Sequence, residues 1–415
     1  MATALAQQTQ PTRSQPVPPR PARAAVLAAA TLTIMAAAII APSLPAMREA
    51  FAGTPGAGLL VRFSLTVTSL AIAVSAPVSG VVADRIGRRS LLVLSLVLYA
   101  VSGTAGFFAT DLYLLLATRA LLGVAVGGIM TAVSATITDW FDGPRRATFL
   151  GLQQVFASLG GVVFLPLAGL LAAVSWRAPF WIYSASAVVA VFAIRALRAE
   201  PRGERAAAAA RPGGPPQPVT GHTTGRSAER ITGRVTGLYV LALIATLAFY
   251  MAPTQLPFLL SSHGSGPTAT GAVIAGSTLS SAVGALAFPA VRRRLSPAAI
   301  STVSVALLGA GWLLVGTAGT VAQIAAGLLV GGTGVGLAVP NLNLRLSELA
   351  HPDQRGRVLS GLVTGIFLGQ FLSPLAAQPL VEISGIAGAF TWTGIAMAAG
   401  AALAALGTWR MRTVR

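Results

Sequence analysis

The chain has 415 residues, of which 54% are hydrophobic and only 10% are charged, and its mean hydropathy is +0.74. A soluble domain carries about 25% charged residues, so this composition excludes an ordinary soluble protein. The net charge of +18 raises the alternative of nucleic-acid binding. The placement of the cations argues against that partner, because all of them are arginines and most lie in short segments between apolar runs.

Cysteine is absent, which excludes disulfides, thiolate catalysis and cysteine-based metal sites. The three histidines, His222, His263 and His351, are far apart in the sequence and predict no metal site. The nucleotide-binding motif GxxxxGK[ST] requires a lysine, and the chain contains none. We therefore expect neither a metal nor a cofactor.

The chain begins with a segment rich in Pro, Gln and Thr, residues 1–21, which has too little apolar surface to fold alone and is predicted to be a disordered cytoplasmic tail. Apolar runs of about 20 residues follow, each long enough to cross a ~30 Å hydrocarbon core. The predicted spans are 24–44, 59–83, 90–109, 113–138, 147–174 and 178–197, then 236–261, 268–290, 298–317, 320–343, 358–381 and 386–409.

Residues 198–235 are rich in Pro, Gly, Ala and Arg and are predicted to form a flexible cytoplasmic linker. They separate a predicted N-terminal six-helix bundle, residues 22–197, from a predicted C-terminal six-helix bundle, residues 236–409. Residues 410–415 are predicted to form a cytoplasmic tail. The predicted fold class is an all-α integral membrane protein with twelve transmembrane helices, whose main partner is the lipid bilayer.

Arginine placement predicts the orientation of these helices. If both termini are cytoplasmic, Arg48, Arg62 and Arg177 are assigned to the outer side and Arg119 lies within a span, while the other 25 of the 29 arginines lie on the cytoplasmic side. We therefore expect a multi-pass protein of the cytoplasmic membrane with both termini inside.

The two halves repeat each other, which indicates duplication of a helix bundle. Corresponding spans share glycine, proline and short sequence motifs: Gly123, Gly127 and Gly128 with Gly327, Gly331 and Gly332; Gly161 and Pro166 with Gly369 and Pro374; and APSLP at 41–45 with APTQLP at 252–257. Small residues in these helices are expected to allow close packing, and the prolines to bend them.

Two motifs place charge at or in the membrane. The loop GVVADRIGRR runs from Gly80 to Arg89, where Gly80 and Gly87 are expected to permit close helix approach and a tight turn, and Asp84 lies among cations. In the fourth span, Arg119 would cost about 2.5–3.5 kcal/mol if exposed to lipid, so we expect it to face a polar cavity or a partner. The alternatives are an ordinary solvated loop and an arginine that reaches the external interface.

Polar side chains on otherwise apolar helices are candidates for a substrate cavity. Each could equally make a simple hydrogen bond between helices. They are Gln153, Gln154, Tyr250, Gln255, Asn341, Asn343 and Gln370.

The loop pattern GxxxDRxGRR, RxxxGxxxGG in the fourth span, Trp176-Arg177 and a partial GxxxGPxxGG motif in the fifth span together resemble the major facilitator superfamily, in particular its twelve-helix drug and sugar efflux type. The resemblance implies two bundles with a central site open alternately to each side, and a monomer. It also implies that Asp84 and Arg85 form a latch to the other bundle that favours the outward-facing state, that Arg88 and Arg89 belong to the same transport and coupling loop, and that Arg119 participates in proton movement. Leu165 replaces the glycine expected before Pro166, which weakens the prediction of export.

Acidic residues constrain the predicted mechanism, because none lies in mid-membrane. Asp84, Asp139 and Glu348 are predicted near the inner face, and Asp111 and Glu382 are among those near the outer face. This distribution favours neutral, amphipathic or anionic substrates, or proton coupling through Asp84, Asp139 and Arg119.

The preferred prediction is proton-driven export of a small organic molecule. Uptake of a nutrient or metabolite is the main alternative, and a receptor or scaffold on the same fold is a weaker one. An enzyme is disfavoured because the spans contain no Ser/His/Asp or paired-carboxylate constellation.

Overall fold

The described part of the chain is a bundle of long helices. The computed structural model describes residues 18–141, 143–197, 225–350 and 355–413, and within these ranges it contains helices and turns but no strand. Eleven of the helices are long and apolar enough to cross a membrane. The last of them contains an apolar stretch of 49 residues, Val358–Leu406.

That last helix makes two crossings. At a rise of about 1.5 Å per residue it would extend more than twice the ~30 Å hydrocarbon thickness if it were straight. Gly385 divides it, because its φ of 72° lies in the left-handed region that breaks a helix. The structure therefore has the twelve crossings predicted from the sequence.

The helices are numbered α1 to α12 in chain order. α1 and α7 each have two parts. The bounds are Arg20–Ala38 and Leu44–Ala50 (α1), Ala57–Ile86 (α2), Arg88–Ala105 (α3), Leu112–Trp140 (α4), Gly143–Val174 (α5), Ala185–Ala196 after a 3₁₀ segment Ala178–Ser184 (α6), Gly225–Phe249 and Met251–Ser262 (α7), Pro267–Arg294 (α8), Pro297–Gly316 (α9), Val321–Leu349 (α10), and 355–384 and 386–413 (α11 and α12).

The break in α1 falls within the APSLP motif, and the break in α7, at Tyr250, falls just before the APTQLP motif. In α1 a short 3₁₀ turn, Ala41–Ser43, separates the two parts, and Pro42 cannot supply the amide hydrogen that a continuous helix needs. In α7 the second part begins at Met251, with Pro253 in its first turn. Each half of the protein thus has a first helix that is interrupted in its C-terminal part.

The predicted boundaries differ from the structure at the start of α7. The helix begins at Gly225, inside the segment predicted to be a flexible linker. Residues 225–235 contain Ala, Arg and Glu, which favour helix, and they continue directly into the apolar run. The remainder of that linker, residues 198–224, and most of the predicted N-terminal tail lie outside the described residues.

The two halves touch each other near one face of the bundle. We call the side on which α1 begins and α12 ends the terminal face, and the other side the opposite face. Close to the opposite face, α5 and α8 approach each other at Gly169 and Gly271. A Cβ atom added to Gly271 would lie 2.5 Å from the Leu165 carbonyl oxygen, so only glycine allows this approach.

Helix α2 shows that the halves diverge toward the terminal face. Near the opposite face, Phe63 stacks on Phe371 of α11 with ring centroids 5.7 Å apart. Farther along the same helical stripe, Val74, Val78 and Val81 are 65%, 58% and 55% exposed. One continuous face of α2 is therefore packed against the second half at one end and uncovered at the other.

Candidate functional site

A polar cluster lies between the halves, where their contact ends. The Ser69 hydroxyl of α2 donates to Gln370 Oε1 of α11 at 2.7 Å. Tyr250, at the break of α7, lies beside the Ser69 side chain. We call Ser69, Tyr250 and Gln370 the central polar cluster.

The position of this cluster suits a binding site in a two-half protein. Phe63 lies six residues from Ser69, about 9 Å nearer the opposite face, and it stacks on Phe371, the residue that follows Gln370 in α11. The three polar groups come from both halves, so a relative movement of the halves separates them. Hydroxyl and amide groups can bind neutral or anionic solutes through hydrogen bonds.

At the terminal face, Arg88 joins two carboxylates. It forms an ion pair with Asp139 of α4, in which its Nε lies 2.9 Å from Asp139 Oδ2, and its Nη2 lies 4.0 Å from Asp84 Oδ1 of α2. Gly87, with a φ of 88°, makes the turn that places Arg88 there. The neighbouring Arg89 donates to the Ile194 carbonyl of α6 at 2.9 Å. The GxxxDRxGRR loop is thus fastened to its own half.

Among the described residues, Asp84 and Arg85 form no ion pair with the second half, as the predicted latch would require. The Asp84 side chain is 77% exposed, and Arg85 is exposed as well. The close helix approach predicted at Gly80 is not found: no described atom lies within 4 Å of a Cβ placed there. The reason is the divergence of the halves, which moves the second half away from this end of α2.

Arg119 is completely buried inside the first half and does not reach the external interface. Its Nη2 donates to the carbonyls of Ser102 and Gly103 at 2.9 and 2.7 Å. Its guanidinium carbon lies 4.8 and 4.9 Å from the ring centroids of Phe180 and Tyr183. Arg119 therefore joins α3, α4 and α6, with backbone carbonyls and aromatic rings in place of a carboxylate.

The other cavity candidates do not join the central polar cluster. Gln153 pairs with Ser134 inside the first half, Asn341 donates to the Pro297 carbonyl at 3.0 Å inside the second, and Asn343 donates to a carbonyl of its own helix. Gln154 is exposed. Gln255 is fully buried in the second part of α7, and neither of its polar side-chain atoms has a described hydrogen-bond partner.

The repeated glycines lie at close helix contacts. A Cβ at Gly123 or Gly127 would collide with Thr68 or Ser75 of α2, and one at Gly327 would lie 2.6 Å from the Gly311 carbonyl oxygen. Gly161 differs, because its neighbour is Thr278 of the second half. Gly331 has ordinary spacing, and Pro166 and Pro374 lie inside α5 and α11.

Sequence analysis missed Ser69, because a single serine on an apolar helix is unremarkable until its neighbours are known. Its partner Gln370 is 301 residues away along the chain. Two of the three histidines, His222 and His351, lie outside the described residues.

Comparison with known proteins agrees with this architecture. The chain matches the Major Facilitator Superfamily over residues 26–374 and 238–415. It is 26% identical to the tetracycline resistance protein, class C, of Escherichia coli over 398 residues, 91% of this chain and 93% of that protein. The solved structure of a D-xylose-proton symporter superimposes with a TM-score of 0.71 at 14% identity, covering 92% of this chain and 96% of that one.

Other relatives match over shorter segments. The bacillibactin exporter of Bacillus subtilis is 30% identical over 149 residues, and the match spans 36% of its length. Further curated relatives are matched over 24% to 35% of theirs.

The chain belongs to the Major Facilitator Superfamily. It is a multi-pass membrane transporter and not an enzyme.

Proposed function

We propose that the protein exports a small organic molecule across the cytoplasmic membrane by exchange for protons, as a monomer with both termini in the cytoplasm. The observation that carries this proposal is the arrangement of the halves, which pack together near the opposite face and diverge toward the terminal face. With cytoplasmic termini, this is the inward-facing state, in which cargo enters from the cytoplasm.

The central polar cluster is the proposed cargo site. Cargo that reaches it competes for the hydrogen bond that otherwise joins Ser69 to Gln370 across the halves, beside Tyr250. Loss of that contact allows the halves to rotate, so that the terminal face closes and the opposite face opens. Export is supported by the relatives named for tetracycline resistance and for bacillibactin export.

The proposed proton-coupling groups are Asp84, Asp139 and Arg88. Protonation of either carboxylate removes its charge and weakens its attraction to Arg88, which fastens the loop between α2 and α3 to α4. The protonation state of Asp84 and Asp139 therefore controls how firmly the loop between α2 and α3 is held against α4. We assign Arg119 a positioning role in this scheme, because it fixes α4 against α3 and α6.

Replacement of Gln370 by leucine tests the cargo site. It removes the amide that accepts from Ser69, and we expect gradient-driven accumulation in inverted membrane vesicles to fall about tenfold, the effect of losing one or two hydrogen bonds. The vesicles are made acidic inside and offered tetracycline, glucuronate or glucose. Wild-type protein is expected to accumulate at least one of them.

The matched control is Gln378→Leu on the same helix, whose amide donates to Glu382 outside the cluster and whose loss should leave transport unchanged. Equal amounts of each variant in the membrane are verified by immunoblot. Normal accumulation by Gln370→Leu would contradict the assignment of the site. Failure of wild type to accumulate any of the three under the gradient, with accumulation in the reverse direction, would contradict export.

A further inference from the structure

Two arginines of the first half meet one aromatic ring of the second half at the opposite face. Arg48 belongs to the second part of α1 and Arg62 to the first turns of α2. Their guanidinium carbons lie 5.0 and 4.7 Å from the centroid of the Phe258 ring in the second part of α7. We call these three residues the arginine gate. The contact joins the halves where they are closed.

The charges in the arginine gate are not neutralised. Because both guanidinium carbons lie within 5.0 Å of the same point, they are separated by less than about 10 Å, the Debye length at 0.1 M salt, so they repel each other. Among the described residues neither arginine forms an ion pair with a carboxylate. The ring offers only the attraction of its π face.

Arg62 is the more constrained of the two. It is 6% exposed, and its Nη1 donates to the Gly58 carbonyl at 2.8 Å, while its buried Nε has no described partner. A guanidinium with unused donors and no counter-charge is suited to bind the oxygens of a carboxylate, phosphate or sulfonate.

Further unused polar atoms lie in the same contact between the halves. The second part of α7 packs against Ala41–Ser43 and Leu44–Ala50 of α1. Within these segments the Ser43 hydroxyl and both polar atoms of Gln255 are buried without a described hydrogen-bond partner. The closed opposite face therefore contains hydrogen-bond donors that could bind an anion. When the halves separate at this face, these donors become accessible.

We propose that the arginine gate binds the anionic group of the cargo as it passes the opposite face, and that the transported molecule is an organic anion. The proposal rests on transport by alternating access between these halves and does not depend on proton coupling. With the face closed, Phe258 packs against both guanidinium groups, and Arg62 is buried while Arg48 keeps part of its surface exposed. With the face open, the ring withdraws with its half, and the two guanidinium groups face the pathway. Arg62 lies between the halves and not toward lipid, so the ligand arrives from water.

The absence of cysteine provides a direct test. Ser43→Cys is nearly isosteric, removes no described hydrogen bond and supplies a single thiol that is covered while the face is closed. The purified full-length variant, in neutral detergent, is treated with two thiol reagents of similar size, the anionic sulfonatoethyl and the cationic trimethylammonioethyl methanethiosulfonates. The ratio of the two reaction rates reports the charge near the thiol. A change in the intrinsic reactivity of the thiol alters both rates equally and leaves the ratio unchanged.

We expect the anionic reagent to react faster, and Arg62→Gln to lower the rate ratio about tenfold, because the charge that is removed attracts one reagent and repels the other in a mostly aqueous setting. Arg48→Gln is expected to lower it less, because Arg48 is exposed. The matched control is Arg177→Gln, which removes an arginine that stacks on Trp176, outside the gate, and should leave the ratio within twofold. Phe258→Leu keeps both charges, so it should quicken both reactions and preserve the ratio.

A ratio unaffected by Arg62→Gln would overturn the proposal, as would a thiol that reacts with neither reagent, since the face must open. If the difference between the two reaction rates disappears in micelles that contain phosphatidylglycerol, the arginines bind lipid headgroups, and the proposal is also overturned. The labelling measures neither export nor proton exchange. If the labelling rates change with Arg62→Gln as expected but the protein fails the vesicle assay, the proposed export function is contradicted and the arginine gate is not.

Discussion

Replacement of Gly271 by alanine is expected to hold the opposite face open and to reduce transport. The added Cβ would lie 2.5 Å from the Leu165 carbonyl oxygen and 3.0 Å from the Gly169 Cα atom, both in the backbone of α5. Neither atom can move without displacing a helix, so the closed state should lose about 1–3 kcal/mol. A loss of 1.4 kcal/mol shifts a two-state population tenfold, so we expect the Ser43→Cys thiol to react about tenfold faster.

The matched control for this prediction is Gly276→Ala on the same helix. Its Cβ would lie 3.6 Å from Leu329 Cδ2, an ordinary contact inside the second half. Both substitutions raise helix propensity equally, so the difference between them isolates the contact between α5 and α8. Equal labelling rates for the two variants would show that this contact does not control the opposite face.

Replacement of Arg119 by leucine is expected to destabilise the protein by about 3 kcal/mol, because two buried carbonyls lose their charged donor. Arg119→Lys should be intermediate, because an ammonium can donate to the carbonyls but cannot reproduce the planar guanidinium that stacks on Phe180 and Tyr183. Thermal unfolding of the purified variants measures the order.

Arg177→Leu serves as the control, because that arginine makes one long hydrogen bond of 3.3 Å and stacks at the surface. It should change the unfolding temperature little. If Arg119→Leu is as stable as wild type but inactive, the positioning role is wrong. Direct participation in proton movement, which the fourth-span motif implies, would then be favoured.

Much of the fold follows from hydropathy and spacing alone. The twelve crossings and the loop at Gly87 depend on local patterns that a sequence displays. The repeated APSLP and APTQLP motifs could be identified as corresponding, but the breaks they make in α1 and α7 could not be located to the residue. The start of α7 at Gly225 was missed because a Pro- and Gly-rich segment precedes it directly.

The candidate site was less predictable, because its contacts join residues far apart in the chain. Tyr250 and Gln370 were predicted as polar residues in apolar helices, and their meeting at Ser69 depends on how the two halves pack. Asn341 has the same sequence character, yet its amide is used by the neighbouring helix. The burial of Arg119 was expected from its cost in lipid, whereas its aromatic and carbonyl partners required the structure.

The central claim is export in exchange for protons, and the most direct test is proton movement caused by cargo. Inverted vesicles are made acidic inside, the gradient is followed with a fluorescent amine that is quenched by acid interiors, and a solute that wild type accumulates is then added. We predict that addition of the solute restores fluorescence with the wild-type protein. It should not do so with the double variant that carries both Asp84→Asn and Asp139→Asn. The control Asp111→Asn, at a helix cap on the opposite face, should behave as wild type. Accumulation of the solute with no change in fluorescence, or with deeper quenching, would contradict proton exchange.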